Sequence, residues 1–139
     1  MGMVDHVASR STCLRYQCGA VIVKDRHVVS VGYSGVPSGL KHCREVGCIR
    51  ERNGIQSGTR HELCRGAHAE GNAIAYAARY GIGVEGATMY CSRKPCGYCS
   101  KFLVGAGIVK VIYREDYPDS LSEEMLSNVE VVKYEPCNT

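Results

Sequence analysis

A chain of 139 residues is long enough for one ordinary hydrophobic core, and residues 1–139 read as a single domain. Seventeen lysines and arginines against 14 acidic residues leave a net charge of +3, scattered along the chain, which argues against polynucleotides as partners. No apolar run can span a bilayer, residues 1–11 lack the apolar centre of a signal peptide, and nine cysteines, an odd number, fit metal binding in a reducing cytoplasm better than a disulfide framework.

In chain order, a short helix begins near Asp5 and is expected to continue over residues 8–14. Residues 19–24 read as an apolar strand and 28–33 as its hairpin partner across Asp25-Arg26-His27. Between residues 37 and 67 the periodicity lapses. It resumes as a helix in which Ala69, Ala73, Ile74 and Ala77 form an apolar stripe that Gly81 ends. Strands over 87–92, 109–114 and 129–134 then alternate with helices over 96–104 and 121–128. Strands and helices in this order predict an α/β fold, a three-layer α/β/α sandwich.

Two short segments carry the chemistry. His68-Ala69-Glu70 and Pro95-Cys96-Gly97-Tyr98-Cys99 together offer three zinc ligands and one carboxylate free to move protons. Cysteines three apart at a helix entrance lie on one side of it, Pro95 suits that entrance, and unpaired backbone N–H groups there favour thiolate. His68 and Glu70, two apart, would diverge in mid-helix, so they are expected in a first turn where both reach the helix mouth. A neutral imidazole and two thiolates leave one tetrahedral corner for water, the arrangement of a catalytic zinc rather than a structural one. Glu70 favours catalysis further, because a structural zinc has no use for a carboxylate that does not bind it.

The irregular stretch of residues 37–67 is long for a compact domain unless something orders it. It contains His42, Cys43, Cys48, His61 and Cys64. A second, structural zinc held by Cys43, Cys48 and Cys64 is the economical reading, with Cys13, His61 or His42 as fourth ligand. Cys18 and Cys91 fall in strand patterns and read as core; Cys137 in the tail carries no inference.

Cys13, Gly19-Ala20-Val21-Ile22-Val23, Gly32-Tyr33-Ser34-Gly35-Val36-Pro37, His68-Ala69-Glu70-Gly71-Asn72-Ala73-Ile74, Gly86-Ala87-Thr88-Met89-Tyr90 and the Pro95–Cys99 motif resemble the deoxycytidylate deaminase family, including its bacterial competence-operon members. The resemblance covers about residues 10–118. It implies a cytidine deaminase-like mixed five-stranded sheet, a homo-oligomer with a hexamer favoured, and hydrolysis of dCMP to dUMP and ammonia by a zinc-bound hydroxide, with Glu70 as proton shuttle. It also implies a second zinc in the insertion, for which Cys13 joins Cys43, Cys48 and Cys64. Arg15 matches a phosphate-contacting arginine of related enzymes, with Ser11 and Tyr117 as further contacts. Ser34 stands where the family usually has asparagine, beside sugar contacts, and its glycine-tyrosine loop is associated with dCTP activation and dTTP inhibition. Two other readings remain open: a zinc deaminase of another cytosine or purine nucleoside or nucleotide, and a non-catalytic, competence-related zinc protein.

Overall fold

The structure, a computed structural model, describes residues 1–137. Five strands form one sheet in the order β2-β1-β3-β4-β5: β1 (Gly19–Lys24), β2 (His27–Tyr33), β3 (Thr88–Arg93), β4 (Lys110–Glu115) and β5 (Glu130–Lys133). β1 pairs antiparallel with β2 and β3, whereas β3, β4 and β5 run parallel, so the sheet is mixed as expected. The hairpin is tighter than the sequence suggested. His27 pairs with Lys24, and the turn is Asp25-Arg26 alone, both at positive φ (49° and 65°), the two-residue geometry whose twist matches that of the flanking strands.

Alternation along the strands builds the core. Ala20, Cys91 and Tyr113 lie in register across β1, β3 and β4, as do Ile22, Met89 and Val111 in a second buried row. Both rows pack with Ala73 and Ala77 of helix α4 (Ala69–Arg79) and Leu103 of helix α5 (Gly97–Gly105). Helix α1 (Gly2–Ala8) covers the opposite face, and two glycines establish this. A Cβ on Gly19 would meet Val4 O of α1 at 2.5 Å; Gly32, in register with Ala20 on the other face, would meet Ala69 O of α4 at 2.3 Å and Ala73 N at 2.4 Å. Helices thus flank the sheet on both sides in three layers. Helix α6 (Ser120–Met125) packs beside α5.

Gly32 is where the backbones of β2 and α4 must touch, and neither obstructing atom is a side chain that can swing away. Ser30 Oγ donates to Ala73 O at 2.7 Å and Asn72 Nδ2 to Tyr33 O at 2.8 Å, fixing the same contact. Gly32→Ala is expected to cost about 3 kcal/mol or more, as overpacking against rigid backbone does, read as a lower urea midpoint at unchanged slope.

The helix expected over residues 8–14 does not form. α1 stops at Ala8, and Ser9, Ser11 and Thr12 follow, residues whose hydroxyls compete for backbone partners. Ser9 Oγ donates to His6 O, while Ser11 Oγ accepts from Cys13 N at 3.2 Å and donates to Ser34 O at 2.6 Å.

The aperiodic segment is closed at its base. Gly35 N donates to Ala67 O at 3.1 Å and Ala67 N to Gly35 O at 2.9 Å. Inside it lie two single-turn helices, α2 (Cys43–Val46) and α3 (Ile49–Arg52), and a 3₁₀ turn over His61–Leu63. Among the described residues no helix is long and apolar enough to cross a membrane.

Candidate metal and active site

Both halves of the motif sit at helix entrances. His68 is the N-cap of α4 and Cys96 the N-cap of α5, each in extended conformation, and neither spends its side chain on capping. The side chains are free to turn toward each other. Cys96 Sγ and Cys99 Sγ each lie 3.5 Å from His68 Nδ1, and the three ligand atoms all fall within 4.8 Å of one another. Zinc held tetrahedrally at about 2.3 Å from sulfur and about 2.0 Å from nitrogen would set those atoms about 3.5 Å apart, so the residues present fit that ion.

The turn carrying the cysteines is held from behind. Asp119, the N-cap of α6, accepts from Leu121 N and Ser122 N with one carboxylate oxygen and from Gly97 N with the other. Ser122 Oγ donates to Pro95 O and Ser100 Oγ to Cys96 O. Every one of these bonds reaches a residue of the Pro95–Ser100 turn or the cap that faces it, which fixes where the sulfurs point.

The electrostatics suit a cation. The adjacent Cys99 thiol and His68 bring the Cys96 pKa down to about 4, while Cys96 and burial push Cys99 up. His68 is raised, chiefly by its hydrogen bond with Cys96. Glu70, in the first turn of α4 and only 8% exposed, stands outside the ligand group, and burial raises its carboxyl above the ordinary range. Cys18 and Cys91 surround it as neutral thiols; burial lifts Cys18 to about 12, and Cys91 is fully buried in the core as expected.

A cavity opens over Glu70 and His68, roofed by the aperiodic segment. Arg15, Ser34 and Tyr117 line it; Ser11 does not. Ser11 is completely buried and its hydroxyl is bonded to Ser34, so it stands behind the wall. The Ser34 hydroxyl is itself engaged by Tyr16 O, Cys18 N and Ser11. Arg15 reaches across the cavity to donate to Ile55 O at 3.2 Å.

The insertion's cysteines line the same cavity. Cys43 feels Cys48, Cys64 and Cys13, but burial is the main cause of its raised pKa. Among the described residues only His68, Cys96 and Cys99 gather three ligand atoms within 4.8 Å, so the four sulfurs proposed for a second ion are not drawn into a closed tetrahedron. His61 takes no place among them. Its ring stands edge-on to His68 with centroids 5.0 Å apart, and Tyr117 Oη lies 3.4 Å from its Nε2. Spacing alone grouped His61 with cysteines; its neighbours are active-site rings. Three further lining residues, Tyr16, Arg50 and Arg93, went unnoticed in the sequence, although Arg93-Lys94 directly before Pro95 was a visible signal.

The chain is similar to known proteins. The family model described as the cytidine and deoxycytidylate deaminase zinc-binding region matches residues 1–115. ComE operon protein 2 of Bacillus subtilis is 38% identical over 111 residues, 80% of this chain and 54% of that protein. The deoxycytidylate deaminase of Saccharomyces cerevisiae is 38% identical over 129 residues, 92% of this chain and 40% of that protein, so the chain spans about half the length of these relatives. The dCMP deaminase of cyanophage S-TIM5, solved with dCMP and dUMP, superposes with a TM-score of 0.79 at 29% identity, covering 96% of this chain and 92% of that one. With a family match across most of its length and a His-Cys-Cys group of zinc-binding geometry, the chain belongs to the cytidine and deoxycytidylate deaminase zinc-binding family.

Proposed function

We propose that the protein is a hydrolase that deaminates dCMP to dUMP and ammonia, and that residues 1–139 act as one deaminase domain. The observation that carries this is a buried carboxylate, Glu70, placed beside three zinc ligands without being one of them. Zinc bound by His68, Cys96 and Cys99 supplies a Lewis acid and a water acidified toward neutral pKa. Glu70 accepts a proton from the attacking water and passes it to ring N3 as the oxygen joins C4. The carboxylate then takes the second proton, from the new C4 hydroxyl, and delivers it to the amine as the C4–N bond breaks, so ammonia departs and C4 keeps the oxygen as a carbonyl. Burial helps in both directions, because a carboxyl whose pKa is raised both takes and returns a proton readily. The hydrogen bonds from Ser122 and Ser100 hold the cysteine turn still during these transfers.

The relatives named for dCMP support that substrate, and a cavity bordered by Arg15 and Tyr117 supports a phosphorylated one. A homo-oligomer belongs to this reading, supported by the exposed pairs Tyr76–Tyr80 on α4 and Tyr98–Phe102 on α5. Nine unpaired cysteines suit a reducing compartment. Offered dCMP, CMP, dCTP, deoxycytidine and guanine, the zinc-loaded protein is expected to release ammonia from dCMP with the highest kcat/KM. Ammonia only from an unphosphorylated base or nucleoside, or from none, would reject the assignment.

A further inference from the structure

Arg50 is a charge without a counter-charge. It lies on α3 inside the cysteine-rich segment and is only 7% exposed. Nη2 donates to Thr59 O at 2.8 Å and to Gln56 O at 3.4 Å, two neutral carbonyls. Its Nε is buried with no hydrogen-bond partner, and among the described residues no carboxylate pairs with it. A buried guanidinium left this way is costly, and the cost is recovered only where an anion arrives. Arg50 lines the cavity over Glu70 together with His61 and His68.

A second guanidinium faces the same space. Arg93 ends β3, two residues before Pro95, and is held over the rings of Tyr16, at 4.8 Å, and Tyr117, at 5.4 Å. Its nearest carboxylate, Glu115, is 3.6 Å away, outside hydrogen-bond reach, and Arg93 Nε is likewise buried and unpartnered. Stacking leaves a guanidinium's edge available, the edge that recognises phosphate oxygens. The cavity's lining residues include four cations, Arg15, Arg50, Arg93 and Lys94, and one carboxylate, Glu70, which proton transfer uses. Arg15 is bonded to Ile55 O, and Lys94 and Arg93 each have a largely exposed carboxylate beside them, Glu123 at 3.5 Å and Glu115 at 3.6 Å; Arg50 alone has none, and the Nε of Arg50 and of Arg93 are the buried guanidinium donors of this cavity that make no hydrogen bond.

We propose that Arg50 and Arg93 bind the 5′-phosphate of the substrate, so that the cysteine-rich segment and the end of β3 make the enzyme select a nucleoside monophosphate. The proposal rests on the deaminase reading for its substrate but not for its test. Binding of dUMP and of deoxyuridine, neither of which needs turnover, is measured by calorimetry on the zinc-loaded full chain, wild type against Arg50→Gln and Arg93→Gln. The wild type is expected to prefer dUMP, and each substitution to reduce that preference roughly 10- to 150-fold, the range of a charge-assisted hydrogen bond lost. In turnover the loss falls on KM for dCMP more than on kcat. Arg93, whose side chain is 29% exposed, carries the test alone if the Arg50 variant fails to fold. A preference for dUMP kept within twofold in the folded, zinc-replete variants overturns the proposal, as does a wild type that binds both compounds equally. A wild type that prefers dUMP, loses that preference on substitution and yet releases no ammonia from dCMP leaves the phosphate site standing and removes the deaminase reading.

Discussion

Glu70→Gln is expected to keep its zinc and lose about 10³-fold or more in kcat. The two side chains are nearly equal in size, so the buried pocket at the start of α4 is preserved and α4 still delivers His68 to the cysteines. The metal should remain because Glu70 is not among the three gathered ligands. What disappears is the capacity to carry a proton. General acid-base catalysis contributes about 10²- to 10⁴-fold for one transfer, and this carboxyl serves two, first to N3 and then to the leaving amine. The variant should bind dUMP nearly as the wild type does, so the defect appears in kcat and not in binding. Zinc content, dUMP affinity and the rate of ammonia release decide it together. Turnover within tenfold of wild type, with zinc present, would transfer the proton chemistry to another group.

The His68, Cys96 and Cys99 group was legible because its meaning is local: two cysteines three apart behind a proline and a histidine two before a glutamate each describe one helix entrance. The sheet was legible for a similar reason, since alternation in strands such as Thr88–Arg93 records which face is buried. Contacts distant in sequence left no such record. Ser11 carries a hydroxyl that the family resemblance offered as a phosphate contact, and only the fold reveals that Ser34, 23 positions away, engages it. The helical run that apolar spacing alone extended to residue 14 ends at Ala8, capped by Ser9. His61 has the composition of a ligand and the surroundings of an aromatic ring, edge-on to His68. Arg50 was hidden more completely, because residues 37–67 have no period to read and a charge in such a stretch is ordinarily solvated. Its significance rests on burial and on the missing partner, neither of which a sequence states.

Removing one thiolate is expected to abolish turnover and to lower stability by an amount that also counts the ions. In Cys99→Ser the hydroxyl is a poor zinc ligand, so the His68-Cys96 pair that remains should hold metal only weakly. The sheet core of Ile22, Met89, Leu103 and Val111 is built without the metal, and the variant should fold. Zinc that binds only the folded chain adds about 2.7 kcal/mol when its free concentration is 100 times Kd, equivalent to a Tm shift of about 5–10 °C for a chain this size. Wild-type protein stripped with a strong chelator should therefore melt near the untreated Cys99→Ser variant, and zinc should restore the wild type alone. Full zinc content and activity in the variant would exclude Cys99 as a ligand. Treating the variant itself with chelator separates one metal from two. If Cys13, Cys43, Cys48 and Cys64, which line one cavity, close around a second zinc, the chelated variant falls further in Tm and releases close to one more equivalent; with one zinc per chain it does neither.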